Sequence, residues 1–196
     1  FITSTASQTI SGTVSQALAT GEVVRVSTDN GVTWQTATFT DDTHWVLTGV
    51  TLSSTNTVVA RVQDTLGNFS APLSRGTVLD QAATPNAIAL GSGIADGATQ
   101  LEASAAGGVV NVTAETGAAV SVVFSRSGGG TVTKTLTGNG AAQAVVLEVG
   151  DLTILGDGEI SVVATQLDRA GNTASSSTSF RLDRSAPGAP QITTAA

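Results

Sequence analysis

The sequence predicts an all-β protein built as two tandem β-sandwiches. Three observations carry that expectation. First, the chain repeats itself. Residues 57–83 (TVVARVQDTLGNFSAPLSRGTVLDQAA) and 160–186 (ISVVATQLDRAGNTASSSTSFRLDRSA) each hold an alternating apolar strand, an Asp-x-x-Gly-Asn turn and a second strand that closes on Leu-Asp. Equivalent aspartates stand 104 residues apart (Asp64 and Asp168) and 103 residues apart (Asp80 and Asp183), the length of a domain rather than of a solenoid turn. Second, Ser, Thr, Val and Gly dominate, and no segment sustains helical apolar spacing without β-branched residues. Third, each copy reads as about seven short strands punctuated by turns, the pattern of an immunoglobulin-like sandwich. Only 4% of residues are aromatic, so the cores must be made of Val, Leu, Ile and Ala.

The elements follow in order. In the first domain, residues 1–83, strand A is expected over Thr9–Val14 and strand B over Glu22–Thr28. Asp29-Asn30-Gly31 makes a turn, because Asn and Gly tolerate positive φ. Strand C follows over Thr33–Phe39 with Trp34 as its large core residue. Next come a strand over His44–Val50, with Trp45 also read as core, a turn at Ser53–Asn56, strand F at Thr57–Gln63, the Asp64–Asn68 hairpin and strand G at Phe69–Leu79. Pro85 interrupts the ladder after Asp80. In the second domain, residues 84–186, strand A lies near Asn86–Leu90 and resumes at Gln100–Ala103. Strands then run over Val109–Ala114 (B), Ala119–Arg126 (C), Thr131–Leu136, Gln143–Val149 (E), Ile160–Gln166 (F) and Thr173–Leu182 (G), with a loop or one helical turn at Asp151–Glu159. Residues 187–196 read as a linker into a further copy, joined by a semi-rigid Pro-containing segment.

Composition excludes several functions. The formal net charge is −7 with a single Lys, which sets the chain against nucleic acid and anionic membrane surfaces. No apolar run approaches the length of a membrane-spanning helix. Cysteine is absent, which removes disulfide and thiolate chemistry and leaves a bound metal as the alternative staple for a small extracellular domain. The chain is not expected to be an enzyme. His44 is the one histidine, no nucleophile elbow occurs, and Gly128–Gly130 is a hairpin turn rather than a phosphate cradle. The chain opens on Phe1 without initiator Met or leader, as expected of a fragment.

The acidic residues then carry the functional reading. If strands alternate in direction, the B–C and F–G turns lie at the upstream end of a sandwich, and the A–B and E–F turns at its downstream end. That arithmetic places Glu115, Asp168 and Asn172 at the upstream end of the second domain, where Asp80 arrives from the first; Glu22 falls at the first domain's downstream end. Asp29, Asp64 and Asn68 cap the upstream end of the first domain, and Glu102, Asp157 and Asp183 the downstream end of the second. Asp and Asn in turns commonly do no more than cap backbone. Their recurrence beside each linker points instead to Ca²⁺, which takes six to eight hard oxygen ligands in flexible geometry. The ten expected ligands are thus Asp80, Asp168, Glu115, Glu22, Asn172, Asp64, Asp29, Asp183, Glu102 and Asp157. A cation among them would stiffen the link between adjacent repeats, the expected partners of a monomeric chain.

These segments also carry a resemblance. ISGTVS, GEVVRVSTDNGVTWQTAT and ARVQDTLGNFS in the first domain, with GGVVNVTAETGAAVSVVFS, GDLTILGDGEISVVATQLDRAGN and FRLDRSAP in the second, resemble the bacterial Ig-like repeats of giant biofilm-associated and RTX-type adhesins. The resemblance implies stalk units outside the cell or on its surface, type I secretion, a role in adhesion or biofilm formation, and Ca²⁺ at the domain junctions. On this chain the matching positions are Asp80, Asp168 and Asp183, with Asp64 as the equivalent hairpin residue. A second reading, a module that binds a glycan or host protein, would use His44 and Trp45 as its patch.

Overall fold

A computed structural model describes residues 1–53 and 55–192. The chain forms two units: residues 1–82 with 169–172, and residues 83–168 with the rest of the described chain from 173 onward. Both are immunoglobulin-like two-sheet sandwiches, as the strand pattern predicts.

The first unit contains β1 (Ile2–Thr3), β2 (Ser7–Thr13), β3 (Val23–Ser27), β4 (Gln35–Thr36), β5 (Thr38–Phe39), β6 (His44–Thr51), β7 (Asn56–Gln63) and β8 (Leu73–Leu79). One sheet runs β1-β8-β7-β3-β4 and the other β2-β6-β5. Val24 and Val26 point inward and Arg25 between them points outward, because successive side chains on a strand face opposite sides. Ile10, Val24, Val26, Trp45, Leu47, Val50, Leu52 and Val58 fill the space between the sheets. Trp45 is buried, as expected, at a position the sequence prepares. Gly12 stands opposite it in the β2–β6 ladder, and a Cβ there would run into the indole. The proposed His44–Trp45 surface patch therefore does not exist, since only His44 faces solvent.

The strand order of this unit corrects the sequence reading. β1 is two residues long and pairs in parallel with β8 (Ile2 with Val78, Thr3 with Leu79). It takes the place of strand A, so β2 is the second strand and pairs with β6, and β3 is the third, pairing with β7. A two-residue strand has no alternation to recognise, and missing it shifts the next two strands by one position. The expected strand over 33–39 is broken in two where Ala37 turns into the core and donates to the Val24 carbonyl. Trp34 is not a core residue. Its indole N–H donates to the Gly31 carbonyl (3.0 Å) and its ring stacks on Arg61. Asn30 and Gly31 both have positive φ (63° and 89°), as that turn requires. Phe69 joins the sheet by a single bridge to Gln63, and the regular strand begins only at Leu73. Part of the expected 53–56 turn lies outside the described residues, as do the last four residues of the expected linker.

The second unit contains β9 (Ala87–Leu90), α1 (Gln100–Ala103), β10 (Val110–Thr113), β11 (Ala119–Arg126), β12 (Thr131–Thr137), β13 (Ala142–Val145), α2 (Val149–Leu155), β14 (Gly158–Leu167) and β15 (Thr173–Leu182). Its sheets are β9-β10-β13 and β12-β11-β14-β15. Here the expected strand order holds. Phe124, Val122, Val162, Ile160, Leu147, Leu152, Leu155 and Leu182 form its fully buried centre. The expected strand at 100–103 is a helical turn instead. Thr99 and Glu102 form a reciprocal capping box, which satisfies N–H groups that no strand partner reaches. The 151–159 segment is likewise more helical than expected. Asp151 accepts from the Glu148 N–H (2.8 Å), and Leu152 and Leu155 anchor α2 on the core. Arg126 donates from Nε to the Leu155 carbonyl (2.6 Å) at the end of α2.

Candidate metal-binding site

In the second unit, β14 builds the upstream end. Its inward positions read Ile160, Val162, Ala164, Gln166 and Asp168, so the apolar row becomes polar at its last two places. Gln166 is fully buried. Its Oε1 accepts from the Glu115 N–H (3.1 Å) and its Nε2 donates to the Thr84 carbonyl. One amide thus ties together the start of the unit and the β10–β11 turn. Two positions earlier, Asn86 donates from Nδ2 to the Ala164 carbonyl (2.8 Å). Asp168 is only 6% exposed and is engaged by its surroundings. Because Ala119 pairs with Leu167, the turns that carry Glu115 and Asp168 lie at one end of the β11–β14 pair, as expected.

Two oxygens here are shielded from solvent and lack any hydrogen-bond donor: Glu115 Oε2 and Asn86 Oδ1. A buried acceptor without a partner costs about 1–3 kcal/mol. Both are hard oxygen ligands, so in donor type the residues fit Ca²⁺. Among the described residues no three His, Cys, Asp or Glu side chains converge as a ready-made metal cluster. A cation at this end would draw on amide and backbone oxygens and water as well as carboxylates. Asn86 and Gln166 escaped the sequence reading. The signal for Gln166 was its inward parity on an otherwise apolar strand; Asn86 had none beyond its place after Pro85.

The other expected ligands have more ordinary surroundings. At the downstream end of the second unit, Gly158 pairs with Leu182, which brings Asp157 and Asp183 to neighbouring strand ends. Asp157 is taken by Arg184 (2.8 Å) and by the Ser185 hydroxyl (2.9 Å), and the Arg184 hydrogen bond holds its carboxyl below the usual range. Glu102 is likewise lowered by its bonds from Thr99. Glu102 and Asp183 share a hollow with Asp96, which the sequence reading did not single out, and with Arg181.

In the first unit, Asp64 serves its own turn. It accepts from the N–H groups of Leu66 (2.9 Å) and Asn68 (2.8 Å) and from Asn68 Nδ2 (2.7 Å), and these bonds lower its pKa, the Asn68 side chain most. Asp80 accepts weakly from the Ala82 N–H, and the Asp80 carbonyl accepts from Asn172 Nδ2 (2.9 Å). Two placements need correction. Asp29 was expected beside Asp64 and Glu22 at the opposite end. The ladder pairs Ser27 with Val59 and Val23 with Gln63, so Asp29 lies at the start of β7, while Glu22 lies with Asp64 at its finish. The cause is β1, which moves β3 from second to third place. Glu22 accepts there from the Ala19 N–H (2.8 Å), and neighbouring Gly21 lies against Thr65. Asp41, unassigned by the sequence, caps Thr43 and His44 and sits 2.9 Å from His44 Nδ1.

Asp29 anchors its own loop. Thr33 donates through both its hydroxyl (2.5 Å) and its N–H, and Ser27 donates its hydroxyl (2.7 Å). The Thr33 hydroxyl is the chief reason its pKa falls from 3.8 to about 2. A carboxyl lowered on folding stabilises the fold fully above its unfolded value and ceases to do so as pH falls through its folded value. Asp29→Ala is therefore expected to lower the melting temperature of the first unit at neutral pH. The gap to the parent should close between pH 3.8 and about 2, read from melts across that range.

Neither a protein-family model nor a curated protein matches the chain. Solved structures do. One is a tetra-tandem repeat in the extending region of a large adhesion protein (27% identity, 91% of this chain and 46% of that one, TM-score 0.45). Another is a Ca²⁺-stabilized adhesin with which an Antarctic bacterium binds ice (24% identity, 94% and 46%, TM-score 0.40). A third belongs to a 1.5-MDa bacterial ice-binding adhesin (16% identity, 91% and 58%, TM-score 0.44). The chain is similar to repeat regions of large adhesins. It spans about half the length of each of these structures.

Proposed function

We propose that the chain is a pair of extender repeats in the stalk of a large bacterial surface adhesin, stiffened by Ca²⁺ at the ends of its sandwiches. The observation that carries this reading is the pair of orphaned oxygens, Glu115 Oε2 and Asn86 Oδ1, at the end of the unit where the repeated Asp-x-x-Gly-Asn turn supplies Asp168. A stalk needs no pocket or catalytic group. It needs units that repeat, exits of fixed stiffness and a means of setting that stiffness. Carboxylates gathered at a domain end repel one another until a cation neutralises them, so metal binding and order are linked. In this reading Asp168 and Glu115, with Asn86, supply oxygens at the upstream end of the second unit, and Asp80 and Asn172 supply them in the first. Glu102 and Asp183 do so toward the next copy. The protein works outside the cell, passes a type I secretion channel before calcium stiffens it, and serves adhesion or biofilm formation by projecting a distal tip. Its partners are neighbouring repeats of the same chain.

Calorimetric titration with CaCl₂ tests the reading. Saturable binding is expected, weakened at least about tenfold in Asp168→Asn and in Glu115→Gln, each of which removes one charged ligand. Binding that is absent, or equal in parent and both variants, would refute it.

A further inference from the structure

We propose that the outer face of the first unit, at the β3–β7 ladder, binds a carboxylate-bearing polysaccharide of the uronate type. Arg25 and Arg61 stand directly opposite each other in that ladder. Like charges so placed destabilise a sheet. Among the described residues the ion pairs are Asp41 with His44, Lys134 with Asp151 and Arg184 with Asp157, so neither arginine has a carboxylate to offset the other. In a chain of net charge −7 that arrangement is unexpected.

The arginines are also held in place. The Arg61 guanidinium is sandwiched between Trp34, 3.8 Å from the ring centroid, and Phe69, 3.5 Å away. Its Nε is shielded from solvent and has no acceptor. Arg25 is fixed by a hydrogen bond from Nη1 to Thr36 Oγ1 (2.6 Å). Stacking fixes the plane of a guanidinium and leaves its edge to meet a planar carboxylate. Phe69 remains 47% exposed, an aromatic surface beside the two cations.

Charge density selects the partner. Duplex nucleic acid carries a negative charge about every 1.7 Å, and an acidic chain with two arginines could not overcome that repulsion. A polyuronate carries one carboxylate per sugar, and its sugar faces pack on exposed aromatic rings. The site goes beyond the stalk role and uses none of the candidate calcium ligands.

Titration of the whole chain with oligogalacturonate, followed by tryptophan fluorescence, tests the proposal. Trp45 is buried, so the signal reports on Trp34. Saturable, salt-sensitive binding is expected with calcium and with chelator alike. It should weaken at least about tenfold in Arg25→Gln and in Arg61→Gln, the loss of one charge-assisted pair, and be unchanged in Arg75→Gln, on the opposite face of the sheet. Arg25→Gln leaves the aromatic stack intact and so separates loss of binding from loss of fold. No binding, equal binding of a neutral cello-oligosaccharide or of polyglutamate, or unchanged binding in Arg25→Gln would overturn the proposal. Binding seen only with calcium would also overturn it, since metal bridging by acidic side chains would then explain it.

Discussion

Replacing Gln166 by Leu is expected to destabilise the second unit strongly and to weaken calcium binding. The side chain is fully buried and holds two backbone groups at once, the Glu115 N–H and the Thr84 carbonyl. Leu fills similar space, so packing changes little, but the half-buried Glu115 N–H and the Thr84 carbonyl both lose their bond. A backbone group left unpaired in the interior costs about 1–3 kcal/mol, and the exposed Thr84 carbonyl costs less because water reaches it. The same two bonds hold the turn that carries Glu115 near the strand that leads into Asp168. Loosening that turn spreads the carboxylate over more positions and raises the entropic cost of assembling a cation site. Denaturant unfolding and calcium calorimetry on one variant would read both effects. A loss of stability with unchanged calcium affinity would show that Gln166 supports the fold alone and that Glu115 is not a ligand.

Trp45→Ala is expected to have the largest effect on the first unit, at about 3–5 kcal/mol. The indole is the largest side chain buried in this core, facing Gly12 across the ladder. Gly12 offers no side chain that could move into the cavity. The second unit has its own core, so the thermal transition of the variant should split, an early step for the first unit and an unshifted one for the second. The experiment also separates the structural role of Trp45 from ligand contact. A stable Trp45→Ala variant that lost only binding would restore the surface role the fold denies it.

How much of this was legible in the sequence depended on length and parity. The long strands were readable. β14 and β15 alternate over ten residues each, and the Asp-x-x-Gly-Asn turn between them marks its own ends. β1 was not readable, because two residues carry no period, and its parallel pairing with β8 comes from a part of the chain more than 70 residues away. That one omission placed Asp29 and Glu22 at the wrong ends of the first unit while leaving the second correct. α1 is four residues long, too short to show a helical period, and its Thr99–Glu102 box is the one local signal for it. Trp34 was misread because a large aromatic near a strand reads as core, whereas an arginine two strands across the same sheet can hold it outside equally well. The acidic residues were legible as a set. Their separation into turn caps, such as Asp29 and Asp64, and shielded oxygens without partners, such as Glu115 Oε2, required coordinates.

The central claim is that calcium sets the stiffness of the chain, and small-angle X-ray scattering of the 196-residue protein measures that quantity directly. In calcium the account predicts a narrow distribution of maximum dimensions, which chelator broadens and added calcium restores. Identical profiles in calcium and in chelator, from protein that stays folded in both, would contradict it.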